Sequence, residues 1–301
     1  MGVRGLFASV IILGTLGHSL LFIGVGRHNS SFVKGVSGVI LLIYLAVGAV
    51  AGLSAGLFGV GGGLIIVPAL VACFSFLSVA PDVAMQLAVG TSLATIVVTS
   101  VGSVRAHHKL GNVDWSCWRL LAPGIAVGVV CGVMTATLLS GRILQLAFGG
   151  FCLIVAIYMG LGVAPKPSRQ LPGGRGLTSA GLGIGYFSAM FGVGGGSLTV
   201  PYLSWCNVRM QTAVATSAAC GLPIAIVGSA SNLVAGFGHS ALPAYSFGFI
   251  YLPAFIGIAL LSAPFAKLGA LLAQRLSGPR LKQCFALFLL VVGSQFILEA
   301  L

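Results

Sequence analysis

The sequence predicts an all-α polytopic membrane protein, made of two repeats of four elements that run in opposite senses across the bilayer, preceded by one N-terminal helix. Three observations carry this. Of the 301 residues, 58% are hydrophobic and 6% charged, with a mean hydropathy of +1.12, whereas a soluble domain carries about 25% charged residues. The apolar residues come in long blocks that suit helices of ~20 residues, not the alternating strands of outer-membrane barrels. Finally, GLFGVGGGLIIVP at 56–68 returns as AMFGVGGGSLTVP at 189–201, with the frame FGVGGG-x-x-x-V-P identical in both and Ile65 answering Leu198.

Adjacent glycines cost about 1 kcal/mol each in a helix interior relative to Ala, yet both runs lie inside strongly apolar sequence. The pattern predicts a helix broken inside the membrane. Such a break is tolerated only where protein or a watery cavity satisfies the freed backbone groups. A matched pair, one per half, points to a transporter's binding site.

Taken in order, residues 5–26 read as an N-terminal membrane helix and 27–34 as a polar loop, together the segment 1–38. The first repeat, 39–164, holds the broken segment 39–77, a span at 80–104, a polar loop at 105–119, and helices at 120–139 and 143–162 around a tight SGR turn. The run PKPSRQLPGGRG at 165–176 reads as a linker. The second repeat, 177–301, holds the broken segment 177–205, spans at 210–235, 245–266 and 284–301, a loop at 236–243 and a basic stretch at 267–282. The halves also match locally: Met85-Gln86 and Gly90-Thr91-Ser92 answer Met210-Gln211 and Ala215-Thr216-Ser217.

Charge gives the orientation. The formal net charge is +12, with Asp82, Asp114 and Glu299 the only acids. The loop 105–119 carries Arg105, Lys109 and Arg119, while its counterpart 236–243 has no Lys or Arg. The turn at Arg142 has one basic residue, and its counterpart has Lys267, Arg275, Arg280 and Lys282. Opposite bias in equivalent loops predicts inverted halves. Inversion needs an odd number of crossings per half, so each glycine segment is expected to turn back as a re-entrant hairpin, with arms of about 12–15 residues, too short to span. No long basic cluster with interleaved aromatics supports nucleic-acid binding. The seven cysteines form no CxxC pair and read as small buried hydrophobes rather than a metal or disulfide framework.

The candidate site is the pair of tips, Gly61, Gly62, Gly63 and Gly194, Gly195, Gly196 with Ser197. A helix starting after the glycines points unpaired N–H groups and its positive dipole end at the cavity, which makes an anion site without a charged side chain. The competing reading is close helix packing. Gln86, Thr91, Ser92 and their counterparts Gln211, Thr216, Ser217 are expected either to donate to the anion or to bond between helices. Asp82 and Asn207 fall at matching places and read as N-caps, with proton coupling the sharper alternative for Asp82. His107 and His108 read as solvated residues of a basic loop. No H-E-x-x-H, G-x-S-x-G or paired carboxylates support an enzyme, and neither a cofactor nor a metal is expected.

With the doubled FGVGGG-x-[IL]-x-V-P and the A-x-x-T-S stretches in hand, the chain resembles the TauE/SafE sulfite-exporter family, the TSUP transporters, over residues 40–301. The resemblance implies an inner-membrane protein of bacterial type that moves sulfur-containing anions such as sulfite, sulfoacetate or related sulfonates. It transfers only to the matching positions, Gly59 to Pro68 and Gly192 to Pro201 with Thr91-Ser92 and Thr216-Ser217. The expected partners are a small anion and the lipid bilayer, with an anion channel as the alternative function. No loop is long enough to be a soluble sensor domain.

Overall fold

The computed structural model describes residues 30–59, 61–160, 170–272 and 279–301. The chain divides into two compact units, Met1–Ile40 and Leu41–Leu301. The described part of the first unit is the opening of helix α1. The helix predicted at 5–26 lies outside the described residues, as does the first part of the predicted linker.

The described elements are α1 (Ser30–Phe58), α2 (Gly63–Phe76), α3 (Pro81–Lys109), α4 (Trp115–Leu138), α5 (Gly141–Gly160), α6 (Gly174–Met190), α7 (Gly196–Trp205), α8 (Met210–Ala235), the strands β1 (Ser246–Phe247) and β2 (Ile250–Tyr251), α9 (Leu252–Leu272) and α10 (Pro279–Ala300). Six stretches among the described residues are long and apolar enough to cross a membrane: Val39–Leu57 of α1, and α3, α4, α5, α8 and α9. The described residues are thus helical apart from turns and one small antiparallel hairpin, in which Ser246 pairs with Tyr251.

Several predicted boundaries move. Helix α1 begins inside the expected 27–34 loop and α6 inside the expected linker. The 105–119 loop shrinks to a short turn, because α3 runs on to Lys109 and Asp114 starts α4, its Oδ1 accepting from the N–H groups of Ser116 and Cys117 at 3.0 Å. The span expected from residue 245 starts only at Leu252, after the hairpin. The arms flanking the glycines are also unequal: α1 has 29 residues and α6 has 17, against 14 in α2 and 10 in α7. The expected arms of about 12–15 residues hold for α2 but not for α1, whose apolar run alone is long enough to cross.

Glycine faces set the packing. A Cβ on Gly48, Gly52 or Gly56 of α1 would overlap the carbonyl oxygens of Ile258, Ser262 and Ala266 of α9. In the same way Gly124, Gly128 and Gly132 of α4 lie against the carbonyls of Thr178, Leu182 and Tyr186 of α6. Both ladders step by one helical turn with numbers rising together, so each pair is parallel and in backbone contact. Helices α3 and α8 are antiparallel: Gly221 meets Ser100 and Gly228 meets Leu93. Helices α5 and α10 are antiparallel as well. Gly160 faces Ala286 and Gly149 faces Gly293, while the Arg142 guanidinium at the start of α5 donates to the carbonyls of Ala300 and Leu301.

The ladders give a paired prediction. Gly128→Leu places bulk where the α6 backbone already lies and is expected to lower stability by about 1–3 kcal/mol or more. Gly183→Ala, on α6 with nothing within 4 Å of its added Cβ, is expected to be neutral or stabilising by up to about 1 kcal/mol, since Ala is the better helix former. Thermal unfolding of both purified variants checks the contrast.

Candidate functional site

The two glycine runs meet. A Cβ on Gly61 would fall 2.6 Å from the Gly194 Cα, and one on Gly63 would overlap the Gly192 carbonyl and lie 2.8 Å from the Val193 Cα. Every described tip residue, Gly61 to Leu64 and Gly192 to Ser197, is buried. Each run opens a helix, α2 at Gly63 and α7 at Gly196. Among the described residues, the backbone N–H groups of Gly61, Gly62, Gly63 and Leu64 make no hydrogen bond, nor do those of Gly194, Gly195, Gly196 and Ser197. Buried N–H groups are normally paired, and helix N-terminal donors that find no acceptor among the described residues suit a negative charge.

The tips share a sequence but not a conformation. Gly61 and Gly62 are left-handed, with φ of 79° and 78°, whereas Gly195 is right-handed helical with φ of −57°. The cradle is therefore not the symmetric one that the repeated motif implies.

The polar pairs divide in a consistent way. Ser92 donates to the Gly192 carbonyl at 2.7 Å, and the counterpart Ser217 lies against Gly59, donating to the Val214 carbonyl at 2.7 Å. Each serine thus sits against the glycine run of the other half. Thr91 accepts from the N–H of Tyr251 just before α9, and Thr216 from that of Asp114 just before α4, at 2.9 and 3.0 Å. Each threonine therefore holds the start of a helix in the opposite half. Gln86 is buried and donates to the Leu139 carbonyl at 2.9 Å, at the turn between α4 and α5, while Gln211 is exposed. Neither glutamine is held to the tips by a hydrogen bond. Ser197 is buried at the second tip with a hydroxyl that has no partner, as are Ser188 and Thr199 nearby.

Two expectations are corrected. Asp82 is not an N-cap: Ala80 holds that position, and exposed Asp82 sits in the first turn of α3, where its charge complements the helix dipole. Nor is Asn207 its counterpart. Asn207 follows α7 with φ of 61°, as Ser78 follows α2 with φ of 55°. In both places the next N–H reaches back to close the helix, from Val79 to the Phe74 carbonyl and from Val208 to that of Leu203. Helix α3 begins one turn earlier relative to the Met-Gln pair, so the counting that aligned Asp82 with Asn207 slips.

The second correction is His107. It is 4% exposed and its Nε2 finds no partner among the described residues, so it is not a solvated loop residue. It ends a buried polar stripe on α3: Thr91, Thr95, Thr99, Ser103 and His107 recur every four residues. The first three hydroxyls each donate one turn back along the helix, at 2.6 to 2.8 Å. That four-residue period was readable in the sequence but was hidden by assigning residues 105–119 to a loop. The buried-cysteine expectation holds for Cys73, Cys117, Cys152, Cys206 and Cys220, but Cys131 is exposed.

Residues 43–296 match the family model described as "Sulfite exporter TauE/SafE". The chain is 40% identical over 268 residues to a protein of Haemophilus influenzae named "Probable membrane transporter protein", a match covering 86% of this chain and 98% of that one. Similar proteins with names of the same kind occur in Methanocaldococcus jannaschii, 26% identical over 85% of this chain and 94% of its own, and in Bacillus subtilis, 26% identical over 86% and 98%. No solved structure matches the chain.

The differing tip conformations predict unequal tolerance. Gly62→Ala forces a side chain into left-handed backbone and to 2.9 Å from the Ala51 carbonyl, and is expected to cost about 1–2 kcal/mol. Gly195→Ala has no such backbone penalty, and its nearest neighbour is the flexible end of Ile224 at 3.0 Å. Chemical or thermal unfolding is expected to rank Gly62→Ala clearly below Gly195→Ala.

Proposed function

We propose, from the premise that this chain belongs to the TauE/SafE sulfite-exporter family and is an integral membrane transporter, that it moves small sulfur-containing anions such as sulfite, sulfoacetate or other organosulfonates, as an exporter in the bacterial inner membrane. The anion binds between the two glycine tips. The observation that carries this is the meeting of two buried helix N-termini whose backbone N–H groups are unpaired among the described residues. Ser197 adds a free buried hydroxyl. Ser92, Thr91 and Thr216 hold the tips and neighbouring helices in place and leave the anion to the backbone.

The proposed transport frame is a pair of inverted repeats, 39–164 and 177–301, with the glycine segments as re-entrant hairpins and 165–176 between them. Support comes from helix directions. Helices α1 and α9 are parallel, α4 and α6 are parallel, and α3 opposes α8 as α5 opposes α10. With alternating connections, α1 then runs with α3, and α6 runs with α8 in the opposite sense. The chain between α1 and α3 must return to the side it came from, which falls to α2. At 14 residues α2 is about 21 Å long, short of the ~30 Å core. This frame puts the basic ends of α3 and α9 on one face, which the positive-inside rule makes cytoplasmic.

Export of an anion runs with an inside-negative potential, at about 2.3 kcal/mol per charge per 100 mV, and needs no carboxylate. Exposed Asp82 is then a dipole partner and not the coupling residue.

Flux in proteoliposomes tests the function. Sulfite, thiosulfate, sulfoacetate, taurine and sulfate are compared, and saturable flux of at least one sulfur oxyanion is expected. Flux that rises linearly with concentration favours the anion channel, and none for any anion contradicts the reading. Asp82→Asn is expected to keep most of the wild-type rate with and without a pH gradient; loss of gradient-driven flux in a folded variant makes Asp82 the coupling residue. Single cysteines at Lys109 and Gly238, in a background without native cysteines, are expected to label from opposite sides, and labelling from one side contradicts inversion.

A further inference from the structure

We infer that a monovalent cation of the Na⁺ class binds beside the first glycine tip. A cavity there is lined by Ala55, Gly59 and Gly61 from the end of α1 and the first tip, by Thr99, Ser100 and Ser103 of α3, and by Ala218 and Gly221 of α8. Its volume is about 10 Å³, room for one water-sized particle and too small for a sulfur oxyanion. It lies beside the proposed anion cradle, with Gly61 on the wall between the two.

Its chemistry suits a cation. Thr99 spends its proton on the Thr95 carbonyl at 2.8 Å, so toward the cavity it offers lone pairs. Ser103 is 2% exposed, lines the cavity and has no hydrogen-bond partner. Ala55 of the closing turn of α1 lines the same wall, at the end of the helix that carries the negative end of its dipole. Hydroxyl oxygens with carbonyls at an unwound helix end form the donor set that holds Na⁺ in broken-helix transporters. A divalent ion calls for carboxylates. The lining has none, and no cluster of three or more His, Cys, Asp or Glu occurs among the described residues.

Beside Gly195 of the second tip lie Ile224, the Thr199 hydroxyl and Cys220. The site beside the first tip is built by α3 hydroxyls facing the small residues Ala218 and Gly221. Its occupancy fixes the first tip against α3 and α8, and so links the cation to the geometry of the anion cradle. That link rests on the proposed anion site, whereas the cation site stands without it.

The test separates the two. Purified protein is unfolded thermally in gluconate salts of Na⁺, Li⁺, K⁺ and choline at matched ionic strength, with no sulfur anion present. Fluorescence of Trp118, whose Nε1 bonds to the carbonyl of Ala219 next to the cavity wall, gives a second reading. Na⁺ is expected to raise the unfolding temperature saturably and more than choline or K⁺. Thr99→Val and Ser103→Ala are each expected to raise the half-saturating Na⁺ concentration about tenfold, the equivalent of one lost ligand bond of about 1.4 kcal/mol. Thr99→Ser, which keeps the hydroxyl, and Ser229→Ala, which bonds only within α8 to the Ile226 carbonyl, are expected to respond like wild type. An equal response to all four cations, or an unchanged Na⁺ response in both Thr99→Val and Ser103→Ala, overturns the site. Na⁺ stabilisation in a protein whose sulfite flux ignores Na⁺ keeps the site and overturns its link to the anion. Na⁺ stabilisation with no sulfur-anion flux at all keeps the site and overturns the proposed function instead.

Discussion

A backbone N–H buried away from water must find a partner, and in a membrane no solvent supplies one. Each unmet group costs several kcal/mol. Two helices that stop at glycine runs inside apolar sequence place several such groups in the interior at once. The rest of the fold reads as the means of bringing these two defects together. The glycine ladders of α1 on α9 and of α4 on α6 allow backbone-to-backbone approach, which drives the broken segments deep between α3 and α8. Threonines from each half then hold the start of a helix in the other half. In the proposed function, an anion between the two tips supplies acceptors to these donors.

Identical motifs in non-identical surroundings take different shapes. The first tip carries left-handed glycines where the second stays near helical geometry. The cause lies in what packs behind them. Helix α8 offers Ala218 and Gly221 to the first tip and leaves a small polar chamber, whereas Ile224 and Cys220 of the same helix close the space beside Gly195. The two central helices thus give the repeated motif two different surroundings.

Much of this was legible in residues alone. The doubled glycine frame located both helix breaks, and Thr91-Ser92 with Thr216-Ser217 marked residues that do meet the opposite half. What failed depended on register. Asp82 and Asn207 align by counting from the Met-Gln pair, but α2 is four residues longer than α7 and α3 starts a turn earlier, so one lies in a helix and the other in a left-handed turn. His107 was lost because its neighbours Arg105, His108 and Lys109 look like a loop, although its side chain continues the buried four-residue stripe of α3. The hairpin at Ser246–Tyr251 carries no strand-like alternation long enough to register. Its pairing is local, and it is anchored from outside itself by the Phe249 and Tyr251 N–H groups reaching Asn232 and Thr91.

The central claim is that backbone amides, not charged side chains, hold the anion. Amide NMR of protein labelled with ¹³C-carbonyl valine and ¹⁵N-glycine observes it directly, because Gly61 and Gly194 each follow a valine and so are selected with only seven other Val-Gly pairs out of 45 glycines. Titration with sulfite is expected to move both amide proton resonances downfield together, saturably and with a shared half-point, as each N–H gains an anionic acceptor. Resonances of Gly61 and Gly194 that stay fixed while sulfite perturbs other Val-Gly pairs would place the anion elsewhere and contradict the account.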